Sequence, residues 1–245
     1  MITDINPNIS VDCVIFGFDF KTLNVLLLER KLLGENGSTL ISDYSLVGQH
    51  IGTNESLDDA TARILFETTG LQNIYLEQFY SFGSPTRLND DKSKLWLKSI
   101  GLDPLGRIVT IGYFSLVNKN LVYITNTERH ATWFNIKEVG KLAFDHNHIL
   151  KKALEALRLK IKSEPIAFEL LPRKFTLSQL QKLYEVILDI QFDKRNFRKK
   201  ALQSDYIVAL AEKEKNATRK PAQLFMFSRD VYNATKKEDF SFSFR

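Results

Sequence analysis

One helix has both of its ends written into the chain, and that helix constrains the fold most. Ser56 stands three residues ahead of Asp59 in the manner of a capping box, and Gly70 supplies the stop, so the chain between them is helical. Apolar and β-branched runs surround it. Val11 to Phe18 and Leu23 to Arg30 are joined by Asp19-Phe20-Lys21-Thr22, which reads as a hairpin; Ile74 to Phe82, Ile108 to Val117 and Ala131 to Phe134 are further strands. A capped helix among such strands makes this half a mixed α/β domain.

The helix sits inside a longer string. Residues 46–71, LVGQHIGTNESLDDATARILFETTGL, resemble the Nudix box, whose pattern is Gly, five residues, Glu, seven residues, then Arg-Glu-apolar-x-Glu-Glu-x-Gly-apolar. Without gaps, Glu55, Arg63, Leu65, Glu67, Gly70 and Leu71 match it. Gln49 replaces the glycine, Ile64 the glutamate after arginine, and Thr68 the second glutamate of the pair. Positions 64, 67 and 68 are spaced i, i+3, i+4 and are expected on one face of the helix. In catalytic members of the family that face presents carboxylates to magnesium, which demands hard oxygen ligands. The expectation is therefore no catalytic residue, no metal site and no cofactor, with Glu67 either lining the site or forming an i,i+4 ion pair with Arg63.

A Nudix-like fold that has lost its chemistry keeps a concave site, and the resemblance implies a binding cavity for a small effector. The candidate lining residues are Glu29, Arg30, Tyr44, Gln49, His50 and Glu67. Gln49 and His50 offer neutral donors and acceptors to sugar hydroxyls, and Tyr44 an aromatic face for an apolar sugar face. His50 could equally be locally satisfied, and Arg30 could equally hold a surface ion pair. SFGSPTRL at 81–88 and DPLGRIVTIGYFSLV at 103–117 look like one family motif split by an insert at 88–102. That insert, with Trp96 among charged residues, is read as a mobile flap, a dimer contact or a lid. Cys13, the one cysteine, belongs to the core and leaves no disulfide within the chain.

Charge divides the chain. Residues 1–150 carry a net −4 and residues 151–245 a net +9, within a total of +5. A basic half beside a mildly acidic one suits a chain of which one part approaches a polyanion, although a solvated lysine-rich surface gives the same balance. In the basic half, Ile149 to Ser163 is a lysine-bearing helix with Leu150, Leu154, Leu157 and Ile161 on one side. Thr176 and Gln179 then cap an amphipathic helix through Leu188, and Asp189 to Phe192 connect it to a second helix capped by Asp193. Helix, short turn and basic helix make a helix-turn-helix. Phe197, Ala201 and Leu202 are expected inside, with Lys194, Arg195, Asn196, Arg198 and Lys199 facing DNA; asparagine can read adenine and arginine guanine. Tyr206 to Glu212 and Pro221 to Phe227 flank a basic loop as a wing, where Arg219 and Lys220 are placed against phosphates.

A Nudix-like domain at 1–150 followed by LLPRKFTLSQLQKLYE, DKRNFRKKAL and KPAQLFMF resembles the Nudix-related transcription regulators. The resemblance implies a Nudix-like mixed-sheet sandwich and, at 151–245, a winged helix-turn-helix that binds a pseudo-palindromic operator in double-stranded DNA as a homodimer. It also implies a small-molecule effector. The degraded box looks more like the branch from Bacteroides-type bacteria that responds to L-arabinose, a pentose; other members respond to ADP-ribose or related NAD metabolites. A metal-dependent Nudix pyrophosphohydrolase is the rival from another class. No segment has the 18 or more apolar residues of a membrane span, so no membrane contact and a cytoplasmic location are expected.

Overall fold

The computed structural model describes residues 4–70, 72, 74–119, 130–214 and 221–235. The strands anticipated in the first half all form: β1 (Ile5–Phe18), β2 (Leu23–Leu33), β5 (Tyr75–Phe82), β6 (Val109–Asn118) and β7 (Ala131–Asn135). Two more, β3 (Thr39–Ser45) and β4 (Val47–Gly52), were not evident in the sequence. Together they make a seven-stranded mixed sheet of order β3-β2-β1-β6-β5, with β4 on β1 and β7 on β2.

β1 organises this sheet. Along Ile9 to Phe18 it runs parallel to β6, while its other edge is shared: Ser10 to Cys13 pair with β4, and Phe16 to Phe18 pair with β2. Alternation along β1 then builds two layers, because successive side chains leave opposite faces. Val11, Cys13 and Ile15 join Ala60, Ile64 and Leu65 of α1 (Leu57–Thr69) in one core. Val14, Phe16 and Phe18 join Ile149, Leu150, Ala153, Leu157 and Ile161 of a long helix in the other. Burial of Cys13 pushes its thiol pKa up, which keeps it protonated and inert.

The insert is folded rather than loose: it contains α2 (Asp91–Ser99), capped by Asp90, whose side chain accepts from the Ser93 amide at 3.0 Å. The long helix is α3 (His146–Ser163), and residue 150 falls within its first turns. A 3-10 turn at Pro165–Leu170 leads to α4 (Leu177–Leu188), α5 (Lys194–Leu202), the hairpin β8 (Ile207–Lys213) with β9 (Gln223–Phe227), and α6 (Arg229–Thr235). Thr176 and Gln179 form the full reciprocal capping box on α4. The core that α3 shares with the sheet continues without a break through Leu180, Tyr184, Ile187, Phe197 and Ala201. The expected architecture, a mixed-sheet sandwich followed by a winged helix-turn-helix, is borne out.

Candidate functional site

The box residues gather on Arg63. Its guanidinium holds Glu55 through two hydrogen bonds, Nε to Oε1 at 2.7 Å and NH2 to Oε2 at 2.9 Å, while Glu55 also accepts from the Gly52 amide. The same side chain donates to Gln49 Oε1 at 3.2 Å and meets Glu67 Oε2 at 3.5 Å. The hydrogen bond from Arg63 holds the Glu55 carboxyl below the usual carboxylate range. Arg63 thereby brings together β4, the loop before α1, and α1 itself, and it unites Gln49 with Glu67.

Ile64 and Thr68 do not share an open face with Glu67. They are 1% and 3% exposed, and the Thr68 hydroxyl donates back to the Ile64 carbonyl at 2.8 Å. The expectation of a common face for 64, 67 and 68 is corrected here: the helix packs 64 and 68 onto the sheet and leaves Glu67 at its rim, in the i,i+4 pair with Arg63. Among the described residues, no group of three or more His, Cys, Asp or Glu is placed to hold a metal ion.

The other cavity candidates fall into separate settings. His50 lies on β4, half-buried, with Nδ1 3.2 Å from the Asn6 carbonyl, and burial lowers its pKa below the ordinary histidine value. Glu29 and Tyr44 are cross-strand neighbours on β2 and β3, and the Tyr44 ring meets Phe134 edge-on at 4.7 Å. Arg30 is interior rather than a surface residue. It forms a bidentate pair with Asp43 at 2.8 and 3.0 Å, and its guanidinium carbon lies 4.6 Å from the Trp96 ring centroid and 4.2 Å from that of Phe144. Trp96 therefore fastens the insert helix to the sheet.

A second polar network went unread in the sequence, although its arginine sits in the quoted SFGSPTRL turn. Arg87 grips Asp145 at 2.9 and 2.7 Å and also donates to Thr110, which shares a 2.7 Å hydrogen bond with Ser10. His146 accepts from the Leu46 amide at Nδ1, so the proton is on Nε2, 3.5 Å from Asp12. These contacts anchor the start of α3 to β1, β6 and the loop into β4.

In the second half, the Asp193 side chain accepts from the Asn196 amide at 2.8 Å, and Phe197 and Ala201 lock α5 onto α4. Lys194, Arg195, Asn196, Arg198 and Lys199 are all exposed on its outer side. Leu202 is 58% exposed, which corrects its expected inward placement; the inward side of α5 is taken by Phe197 and Ala201, one turn apart, and Leu202 falls beside that stripe. Arg219 and Lys220 lie outside the described residues. The end of α4 and the turn after it are held by Arg158 of α3, Nε on the Ile187 carbonyl at 2.7 Å, and, from the first half, by Lys137 on Asp189 at 2.5 Å.

Comparison with known proteins matches residues 167–227 to the NrtR DNA-binding winged helix domain. An ADPR-responsive transcriptional repressor of Acinetobacter baylyi is 31% identical over 233 residues, covering 93% of this chain and 85% of its own length. The chain belongs to the NrtR family of transcription regulators. The NrtR of Shewanella oneidensis, solved in complex with a 27mer DNA, superposes with a TM-score of 0.72 at 26% identity over 92% of this chain and 95% of that one. The chain is also similar to an ADP-ribose pyrophosphatase of Methanocaldococcus jannaschii, 25% identical over 147 residues that cover 60% of this chain and 73% of that protein. Among the described residues, no helix is long and apolar enough to cross a membrane.

Proposed function

We propose that this NrtR-family chain is a transcription repressor that holds ADP-ribose or a closely related NAD metabolite in its Nudix-like half without cleaving it, and lets go of its operator in response. The observation that carries this is the inward packing of Ile64 and Thr68. It leaves Glu67 at the rim, 3.5 Å from the Arg63 guanidinium that already holds Glu55, while positions 64 and 68 add none of the carboxylate oxygens that a magnesium-dependent attack on a diphosphate uses. The effector class rests on the repressor from Acinetobacter, whose response is to ADPR and whose similarity runs through both halves. L-arabinose has no counterpart among these relatives, so the ADP-ribose alternative takes its place as the leading effector. Glu29, Tyr44, Gln49, His50 and Glu67 remain the proposed lining.

On the DNA side, Lys194, Arg195, Asn196, Arg198 and Lys199 of α5 enter the major groove, with Arg219 and Lys220 of the wing on phosphates. Two copies bind a pseudo-palindromic site. The 27mer bound by the Shewanella protein spans more than two helical turns of about 10 base pairs, room for two half-sites. Because the divide near residue 150 lies inside α3, effector-driven shifts at its N-terminus reach the helix-turn-helix directly.

The test selects an operator from random duplexes and follows its binding by fluorescence anisotropy. ADP-ribose is expected to weaken it about tenfold, as a coupling of about 1–3 kcal/mol would do, while L-arabinose leaves it unchanged and no AMP appears with Mg²⁺ present. Release by L-arabinose instead, or rapid formation of AMP and ribose 5-phosphate, would overturn the proposal.

A further inference from the structure

A cavity of about 360 Å³ lies where the two halves meet, at the opposite end of β6 from Gln49. Its walls come from the start of β5 (Tyr75, with Ile74 just before it), the end of β6 (Leu116 to Asn118), the 3-10 turn and the segment after it, and the end of β9. Strand register gives the separation from Gln49. Gln49 is level with Val11 and Ile111, whereas the cavity begins beside Leu116, and five residues at about 3.3 Å each make roughly 17 Å.

The chemistry of the lining is mixed in a specific way. Phe168 and Phe227 stack at 4.5 Å with an interplanar angle of 11°, and Phe175 and Tyr75 extend the aromatic floor. The rim carries Arg173, Arg229 and Glu169. Arg229 pairs with Glu169, whereas among the described residues no ion pair engages Arg173. The rim therefore presents one unmatched positive charge over an aromatic floor, beside the Asn118 amide. Pockets of about 300–1,000 Å³ at domain junctions are typical small-molecule sites, and this one is at the small end of that range.

We propose that this junction cavity is a second ligand site, which takes a planar aromatic ring bearing one anionic group, such as a sulfonate, phosphate or carboxylate. The ring lies against Phe168, Phe227 and Tyr75, and the anion meets Arg173. The proposal rests on the cavity alone and stands or falls independently of the effector in the Nudix-like half.

Anilinonaphthalene sulfonate serves as the probe, titrated by fluorescence into the full chain. Saturable binding at one site per chain is expected. Phenylnaphthylamine, a similar ring system without the sulfonate, should bind at least tenfold more weakly. Arg173→Glu, an exposed change, should weaken the sulfonate at least tenfold, and Ile74→Trp, which fills the cavity, should remove the signal while cooperative unfolding persists. No saturable binding to the unaltered chain, equal affinity for the two probes, or undiminished affinity in either folded variant would overturn the site.

Discussion

Asp43→Ala is the most informative single perturbation of the first half. The Arg30 side chain is 6% exposed and that of Asp43 16%, so the change strands a guanidinium between Trp96 and Phe144 with its counter-ion gone. Removing one member of a buried pair typically costs about 3–5 kcal/mol, far more than an exposed pair is worth. For a chain of this size each kcal/mol moves Tm by about 2–4 °C, so the expected drop is roughly 6–20 °C. Arg30→Met combined with Asp43→Leu should recover most of that loss. It removes both charges, places a polarisable thioether between the two rings, and eliminates Arg30 NH1, a buried donor without a hydrogen-bond partner among the described residues. Scanning calorimetry of the three proteins decides it. A drop below about 2 °C in Asp43→Ala, or a double variant less stable than the single one, would refute the assignment of Arg30 as an interior strut.

Further outcomes follow from other parts of the chain. Asn196→Ala or Arg198→Ala should relax base preference at one operator position by about 1–3 kcal/mol, whereas Lys199→Ala should weaken all duplexes alike and flatten the salt dependence; mismatch and salt titrations separate the two. Asp19, at the β1–β2 turn, is raised by burial but more strongly lowered by the Thr22 and Lys21 amides and the Asn24 side chain, to about 2 from 3.8. A depressed carboxylate stabilises the fold above its unfolded value and loses that contribution as pH falls through the folded one. Urea unfolding of Asp19→Asn should therefore converge with that of the unaltered chain as pH falls from about 4 towards 2. Gly48→Ala would set a Cβ 1.8 Å from Asp12 Oδ1 and 2.8 Å from the Val11 carbonyl, so a loss of about 1–3 kcal/mol is expected in the same unfolding assay.

What the sequence disclosed was local. α1 could be read from Ser56 and Gly70, α4 from Thr176 and Gln179, and α5 from Asp193, because each signal and its effect lie within one turn of backbone. β3 and β4 could not, since Asp43 and Gln49 break the apolar pattern and their reasons for being there, Arg30 and Arg63, come from other segments. Helical spacing placed 64, 67 and 68 on one side of α1 but not which part of that side meets the sheet. For α2 a signal was present, Asp90 three residues before Ser93, and it was obscured by the charged residues that follow. The Arg87 network draws on four separate stretches of chain and has no counterpart in any local pattern.

α3 touches the β1–β6 layer along one side and α4 along another, and Arg158 and Lys160 fasten it to the Ile187 carbonyl and to Glu77. Such a shared spine has a consequence for how the molecule comes apart. Neither half can be excised with its interior intact: cleavage after residue 150 would strip Ala153, Leu157 and Ile161 from beneath the β-layer and leave them bare on the fragment that reads DNA. Heat or urea should accordingly dismantle sensor and reader in a single event.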